Sequence, residues 1–161
     1  MLFRSADLDE RDDAAALAEF EHLLQQSVAG QRLADVPLGT FLSGGVDSSL
    51  VTAVLQEGST RPVRSFSIGF GDSEHDESAQ AAAVARHLGT EHTELQVTAQ
   101  DALDLVPTLA DTWNEPFADA SQIPTLLLSR LTRQHVTVAL SGDAGDELFG
   151  GYNRHRIAAR W

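Results

Sequence analysis

Seven consecutive residues, Ser43-Gly44-Gly45-Val46-Asp47-Ser48-Ser49, combine the side chains and the backbone freedom that phosphate binding requires. Three serine hydroxyls can donate hydrogen bonds, and two adjacent glycines let backbone N–H groups approach an anion closely. If a helix begins within this string, its N-terminus adds a favourable dipole. These features predict a phosphate-binding loop, which we call the first glycine loop.

The first glycine loop has no positive charge of its own. No Arg or Lys occurs between Arg32 and Arg61, and all eleven basic residues of the chain are arginines. The carboxylate of Asp47 would repel a bound phosphate unless a divalent cation lay between them, and oxygen ligands suit Mg²⁺. The sequence therefore predicts Asp47 as a magnesium ligand. The alternative is a surface turn in which Asp47 caps a helix.

A second glycine-rich string runs from Leu140 to Tyr152 and reads Leu-Ser-Gly-Asp-Ala-Gly-Asp-Glu-Leu-Phe-Gly-Gly-Tyr. Ser141 and the glycines allow a close approach of the backbone to a ligand, and Asp146 can supply a second carboxylate to a metal-bound pyrophosphate. The spacing of acids and glycines does not match the calcium loop of an EF-hand. A solvated acidic loop is the alternative.

Both strings follow predicted strands, in a chain where strand and helix patterns alternate. The strand patterns cover Val36 to Leu42, Val63 to Phe70, Glu91 to Val97 and Val136 to Leu140. The helical patterns cover Ala14 to Gln31, the stretch after Gly45 through Leu55, Asp76 to Leu88, Thr98 through Leu109 across Pro107, and a helix opened by Ser121. Asp12 and Asp13 are capping candidates for the first of these helices, Gly89 is placed to end the third, and Thr98 is placed to cap the fourth. Such alternation predicts a doubly wound α/β fold, with a parallel sheet and helices on both faces.

Composition limits the class of protein. The formal net charge of -13 disfavours binding to nucleic acid or to an anionic membrane, and the absence of cysteine excludes disulfides and thiolate metal sites. No apolar stretch is long enough to span a bilayer, so we expect a cytoplasmic protein. The six histidines show no metal-ligand spacing, and we expect each to have a solvated or capping role.

The two strings resemble signatures of known enzymes. The first glycine loop lacks the lysine of a Walker loop and the third glycine of a dinucleotide fingerprint. It resembles the PP-loop of the ATP-pyrophosphatases, which GMP synthetases and NAD synthetases share. The string from Leu140 to Tyr152 resembles the second signature of glutamine-hydrolysing asparagine synthetases. Two other segments are similar to the same family, Ser65 to Phe70 and Asn114 to Asp119 with Ser121 and Ile123 to Thr125. The resemblance implies an adenine-nucleotide α-hydrolase-like fold.

The resemblance also implies roles for individual residues, with ATP and Mg²⁺ as cofactors. Leu42 and Ile68 would flank the adenine and offer backbone hydrogen bonds. Asp47 and Asp146 would share Mg²⁺. The catalytic candidates are Asp143, Asp146 and Glu147, of which Asp143 would handle the aspartyl intermediate. The candidates for nucleotide contact are Leu42, Ser43, Gly44, Gly45, Asp47, Ser48, Ser49, Ile68, Ser141 and Gly142.

The implied reaction joins ammonia to the side chain of aspartate. The β-carboxylate attacks the α-phosphorus of ATP to give β-aspartyl-AMP and pyrophosphate, and ammonia then displaces AMP. Asn114 and Asp143 depart from the commoner pattern of the family. Enzymes that adenylate another carboxylate, such as β-lactam synthetases, lasso-peptide cyclases or sugar amidotransferases, therefore stay open, as does a non-catalytic nucleotide-binding module.

In this family ammonia comes from an N-terminal glutaminase domain whose nucleophile is an N-terminal cysteine, and cationic groups come from sequence beyond the second string. We therefore expect residues 1–161 to form one partial synthetase domain, with a leading helix in 1–35 and a nucleotide-binding core in 36–161. We expect the glutaminase domain and the C-terminal remainder to be absent, the longer protein to be a homodimer, and residues 1–161 alone to be inactive.

Overall fold

The computed structural model describes residues 12–71, 77–116 and 118–158, which form four strands and eight α-helices. The strands are β1 Leu38–Phe41, β2 Arg64–Gly69, β3 Glu91–Gln96 and β4 Val138–Leu140. The helices are α1 Asp13–Gln31, α2 Val46–Glu57, α3 Ser78–Leu88, α4 Ala99–Leu105, α5 Leu109–Thr112, α6 Gln122–Thr132, α7 Gly145–Phe149 and α8 Asn153–Ala158. A 3-10 turn, Val106–Thr108, joins α4 to α5.

The four strands form one parallel sheet in the order β3-β2-β1-β4. From β1 the chain first adds β2 and then β3 on one side, and it later returns to place β4 on the other side of β1. The direction of winding therefore reverses between β1 and β4. In open α/β sheets, ligands bind in the crevice outside the carboxyl ends of the strands at such a reversal.

Helices cover both faces of the sheet, as predicted. On one face Val28 of α1 and Leu55 of α2 pack with Val63 and Leu140 around the sheet. On the other face α4 and α6 enclose a second cluster of apolar side chains, to which Ile68 of β2 contributes. The leading helix α1 is thus part of the same core as the strands. None of the described helices has the length and apolar character that crossing a membrane requires.

Several predicted helix ends are confirmed. Asp12 caps α1 by accepting a hydrogen bond from the N–H of Ala15 at 2.7 Å. Thr98 and Asp101 form a reciprocal capping box at the start of α4. Gly89 ends α3 in the left-handed conformation, with φ of 72°. Local side-chain chemistry therefore sets these three boundaries.

The single helix predicted from Thr98 through Leu109 is wrong. The chain instead changes to a 3-10 turn at Val106 and resumes as the short α5. Pro107 has no backbone N–H and its ring clashes with a carbonyl one turn earlier, so a continuous α-helix is interrupted there. The predicted strand at Val36 starts later, at Leu38, and the acidic loop predicted after β4 contains α7.

The expectation of a solvated or capping role is wrong for His92, which is half-buried between β2 and β3. Its Nδ1 lies 2.9 Å from the hydroxyl of Ser65, and its Nε2 lies 3.2 Å from the hydroxyl of Ser67. Burial lowers the pKa of His92, and the charge of Glu94 and the hydrogen bond with Ser65 oppose this shift only in part. The structure therefore favours a neutral imidazole that joins the two strands.

This burial predicts a pH dependence of stability. Because the pKa of His92 is lower in the folded protein than in the unfolded chain, the unfolded chain takes up the proton first as pH falls below about 6.5. The free energy of unfolding should therefore decrease between about pH 6.5 and pH 5, before most carboxylates titrate. Urea unfolding at several pH values measures this slope.

The slope should flatten in His92→Asn and persist in His22→Gln, a matched change at an exposed histidine of α1. An equal slope in His92→Asn and the unmodified protein would show that another group controls this pH range.

Candidate functional site

The first glycine loop connects the carboxyl end of β1 to the start of α2, and internal hydrogen bonds hold its shape. The hydroxyl oxygens of Ser43 and Ser48 lie 2.9 Å apart, and the N–H of Ser43 donates to Ser48 Oγ at 3.3 Å. The N–H of Gly45 donates to Ser43 Oγ at 3.2 Å. The two serines therefore bridge the ends of the loop before any ligand binds.

The N-terminus of α2 opens directly onto this loop. Gly45 occupies the N-cap position and has no side chain that could accept a hydrogen bond from the first turn. The early N–H groups of a helix have no partner within the helix, and together with the dipole they attract anions. Below the loop, the buried hydroxyl of Thr52 donates to Ser48 O at 2.7 Å, and its oxygen lies 3.2 Å from Thr40 Oγ1. This contact fixes the start of α2 against β1.

A second loop, residues 141–144, connects β4 to α7. The hydroxyl of Ser141 donates to Asp143 Oδ2 at 3.0 Å, and the N–H of Gly145 donates to Gly142 O at 3.2 Å. Ala144 has a φ of 72°, and among the described residues no other non-glycine residue has a positive φ. Left-handed backbone costs an alanine about 1–2 kcal/mol, so this turn is strained.

The two loops are in direct contact. A Cβ atom added to Gly142 would lie 2.6 Å from the backbone nitrogen of Ser48, and one added to Gly145 would lie 2.5 Å from the carboxylate of Asp47. Distances below 3.0 Å force a neighbour to shift: at Gly142 that neighbour is backbone, which leaves no room for a side chain, and at Gly145 it is the carboxylate of Asp47, which would be displaced. The Asp47 carboxylate therefore rests on the backbone beside Asp146, and the candidate ligands from β1 and β4 share one site.

A cleft of about 830 Å³ extends from these two loops across the carboxyl edge of the sheet to α6. Its polar lining comes from Ser43, Asp47, Ser48, Glu77, Ser141, Asp143 and Asp146, and its apolar lining includes Phe41, Ile68, Phe70, Pro124 and Leu128. Four of the polar residues are acids, and the described lining includes no Arg. A cleft with one polar and one apolar part fits a nucleotide, provided that a cation accompanies the phosphates.

Most of the predicted site residues line this cleft. They are Leu42, Ser43, Gly45, Asp47, Ser48, Ile68, Ser141, Gly142, Asp143 and Asp146. The backbone contact predicted for Leu42 stays a prediction, and it cannot use the N–H, which already donates to Phe66 O at 2.8 Å. The side chain of Leu42 is buried against Ala81 and Ala85 of α3.

Three predicted site residues lie outside the lining. Gly44 is a buried residue of the first glycine loop and faces α3 instead of the cleft. The hydroxyl oxygen of Ser49 is buried, with no hydrogen-bond partner in the part of the chain that the structure describes. Glu147 accepts a hydrogen bond from the hydroxyl of Tyr152 at 2.7 Å. A direct contact of these side chains with a nucleotide therefore stays a prediction.

The carboxylates of the cleft fit a metal that is shared with phosphate. Within residues 12–71, 77–116 and 118–158, no group of three or more His, Asp or Glu side chains is arranged to hold a metal ion. Asp47 and Asp146, however, both line the cleft beside the first glycine loop. Mg²⁺ typically takes one or two carboxylates and completes its shell with phosphate oxygens and water. These residues therefore fit Mg²⁺ bound together with a nucleotide.

Some cleft residues are not among the predicted site residues. Pro124 and Thr125 of α6 belong to a segment that resembles the family but had no predicted role, and Leu128 follows an ordinary amphipathic pattern; the crossover to β4 brings all three to the cleft. Gln80 of α3 hydrogen-bonds the first glycine loop but lies in an alanine-rich helical pattern with no local sign of this role. Both belong to helices whose position only the tertiary fold defines.

Comparison with known proteins identifies the family. Residues 19–161 match the family described as asparagine synthase. The chain belongs to the asparagine synthase family. It is 39% identical to a putative glutamine-hydrolysing asparagine synthetase 2 of Methanocaldococcus jannaschii, over 89% of this chain and 28% of that protein. It is 34% identical to a glutamine-hydrolysing asparagine synthetase 1 of Bacillus subtilis, over 91% of this chain and 23% of that protein. The chain thus spans about a quarter of the length of these relatives.

A solved structure supports the fold. The chain is similar to an NH3-dependent NAD synthetase of Campylobacter jejuni, with a TM-score of 0.52 at 16% identity, over 89% of this chain and 62% of that one. At this identity the likeness concerns the fold alone. It confirms the predicted doubly wound α/β fold for this member of the asparagine synthase family.

Alanine at Gly142 should separate the two loops. The added Cβ would clash with the backbone of Ser48, and overpacking of this kind typically costs about 1–3 kcal/mol. We expect Gly142→Ala to lower the free energy of unfolding by that amount and to weaken nucleotide binding. The matched control is Gly30→Ala in α1, where nothing lies within 4 Å and stability should rise by up to about 1 kcal/mol. Equal stability of both variants would contradict the contact.

Glycine at Ala144 should relieve the strain of the second loop. The gain from relaxing the positive φ exceeds the entropic cost of a glycine, so Ala144→Gly should raise stability by up to about 1 kcal/mol. The same change at the exposed Ala18 of α1 should lower it by about 1 kcal/mol. Thermal and urea unfolding of the two variants measure the sign. Losses of similar size in both would mean that Ala144 does not adopt this conformation in solution.

Proposed function

We propose that this chain carries the ATP-binding part of an asparagine synthetase site, which adenylates the side-chain carboxylate of aspartate and passes the product to ammonia. The observation that carries the proposal is the contact between the two glycine loops at the reversal of the sheet, in a chain of the asparagine synthase family. A single glycine turn would support only anion binding.

The reaction has two steps, and each step forms one bond and breaks another. A carboxylate oxygen of aspartate forms a bond to the α-phosphorus of ATP, while the bond from that phosphorus to the oxygen bridging to the β-phosphate breaks and pyrophosphate leaves. The nitrogen of ammonia then attacks the activated carbonyl carbon, and AMP leaves with the former carboxylate oxygen. A proton leaves the nitrogen, and asparagine is formed.

The first glycine loop is placed to hold the pyrophosphate part of ATP. The hydroxyls of Ser43 and Ser48 and the first turn of α2 offer donors at one end of the cleft. Donors that are already oriented stabilise negative charge without reorganisation as the leaving group departs. Ile68, Phe70 and Leu128 offer an apolar surface for the adenine at the other end. ATP would therefore lie across the carboxyl ends of β1 and β2.

The acids of the cleft divide into two groups. Asp47 and Asp146 would hold Mg²⁺, which when bound neutralises charge on the phosphates. Asp143 is oriented by the hydroxyl of Ser141 and faces the cleft, where it can handle the acyl group. Glu147 would act more remotely, through its hydrogen bond with Tyr152.

The remaining parts of the proposal concern the longer relatives. A glutaminase domain would supply ammonia, the whole protein would be a cytoplasmic homodimer, and aspartate would be the acyl substrate. The names of the Methanocaldococcus jannaschii and Bacillus subtilis relatives support glutamine as the source of ammonia, because both are called glutamine-hydrolysing.

Exchange of labelled pyrophosphate into ATP tests the acyl substrate. In a longer protein that includes residues 1–161 and the rest of the synthetase domain, we expect exchange that requires both Mg²⁺ and aspartate, since adenylation is reversible before ammonia enters. Exchange with xanthosine monophosphate or nicotinate adenine dinucleotide in place of aspartate would assign another reaction. ATP binding without exchange for any carboxylate would support a non-catalytic module.

The metal role of Asp47 can be tested by asking whether its substitution weakens or strengthens ATP binding, with and without Mg²⁺. With Mg²⁺ present, Asp47→Asn should weaken ATP binding about tenfold or more, since a charge-assisted ligand is lost. With EDTA present, the same variant should bind ATP as well as or better than the unmodified protein, because a carboxylate that repels phosphate is gone. Isothermal titration calorimetry measures both.

Asp111→Asn, which removes the same charge at an exposed position of α5, should change neither affinity by more than about twofold. Loss of binding in Asp47→Asn that is equal with and without Mg²⁺ would exclude the metal role.

A further inference from the structure

Helix α3 forms the back of the first glycine loop. Gly44 is buried with φ of +83°, and a Cβ atom there would lie 2.7 Å from Gln80 Cγ and 2.9 Å from the backbone nitrogen of Ala81. Only a glycine fits at this distance from another backbone. The loop therefore cannot move away from the cleft on this side, and Gln80 lies directly behind it.

The side chain of Gln80 holds one peptide group of the loop. Its Nε2 donates to the carbonyl oxygen of Gly44 at 2.7 Å. In a trans peptide the C=O and the next N–H point in opposite directions. The N–H of Gly45 accordingly points away from α3 and donates to Ser43 Oγ on the cleft side, at 3.2 Å. Gln80 thus determines that the N–H of Gly45, and not the C=O of Gly44, faces the cleft.

This peptide is unusually free to rotate. Both residues that flank it are glycines, which tolerate positive φ at little cost, so rotation of the peptide plane by half a turn is sterically accessible. A rotated peptide would direct the Gly44 carbonyl oxygen toward the phosphates and turn a donor away. For a loop whose described cleft lining has no Arg, the loss of an oriented N–H is costly.

We infer that Gln80 is a positioning residue that locks the Gly44–Gly45 peptide with its N–H, and not its carbonyl oxygen, on the cleft side, where the N–H holds Ser43 Oγ beside the bound polyphosphate. An amide side chain suits this task because it donates to the carbonyl without adding a full charge. The inference rests on the proposed function, in that the ligand held by the loop is a nucleotide phosphate.

Two substitutions of nearly the same shape test this role, with Mg-ATP as the probe. Gln80→Met keeps the length of the side chain but cannot donate, and losing one hydrogen bond should weaken binding about threefold to tenfold. Gln80→Glu presents an acceptor to the Gly44 carbonyl oxygen and favours the rotated peptide, so binding should weaken about tenfold or more. The control is Ala79→Glu, which adds the same charge at the neighbouring exposed position of α3 and should change affinity less than about twofold.

A pH series separates this role from a merely structural one. When its carboxyl group is protonated, Gln80→Glu can donate to Gly44 again, so its affinity relative to the unmodified protein should recover as the pH falls from about 6 to about 4.5, toward the ordinary pKa of a glutamate. The relative affinity of Gln80→Met should stay constant over the same range. Circular dichroism confirms that each variant is folded, and Gln80→Met alone carries the test if Gln80→Glu does not fold.

The outcomes distinguish this inference from the proposed function. If the unmodified protein does not bind Mg-ATP, the proposed function fails. If it binds and both variants at Gln80 bind equally well, the inference is overturned while the proposed function stands. A defect in Gln80→Glu that is matched by Ala79→Glu, or that does not recover at low pH, would also overturn it.

Discussion

The close approach of Gly142 and Gly145 to the first turn of α2 is the constraint on which this site depends. Two loops from neighbouring parallel strands can meet only where the winding of the sheet reverses, since elsewhere a crossover helix separates them. The absence of side chains at both glycines brings the backbone of the second loop against Asp47 and Ser48. Candidate ligands that are about a hundred residues apart in the chain thereby share one cleft.

This contact has an electrostatic consequence. It gathers Asp47, Asp143 and Asp146 around a space that also has to accept phosphates, in a chain whose net charge is -13. Carboxylates and phosphates repel one another unless a cation lies between them. The cleft therefore favours a ligand that arrives with its metal over a free polyanion. Helix α2 and the serine hydroxyls contribute donors without contributing a full charge, so they orient the phosphates but do not neutralise them.

The parts of the fold that could be predicted from the sequence are those that depend on residues close together in the chain. The capping of α1 by Asp12, the end of α3 at Gly89 and the alternation of strands and helices all depend on neighbouring residues, and these predictions are confirmed. The continuous helix predicted across Pro107 does not form, because the missing N–H and the ring of the proline outweigh the helical pattern on either side of it. The helix α7 was missed because its glycines and acids resemble a loop, whereas Phe149 packs its ring against Phe20 of α1 at 5.1 Å between centroids.

The site could be predicted best where its chemistry lies in the two glycine-rich strings. Those strings contribute most of the polar part of the cleft, while α6 contributes Pro124, Thr125 and Leu128 from the opposite face of the sheet. Glycine loops of this type occur in several families that activate different substrates with ATP, so they determine how the phosphates are held. The choice of the substrate that is activated must then depend on other side chains of the cleft, which can differ between proteins without disturbing the loops. The residues of α6 that line the cleft meet this condition, because they lie outside both glycine loops. Their helix is anchored by other residues, Ile123, Leu127 and Leu131, which pack in the same apolar cluster as Ile68.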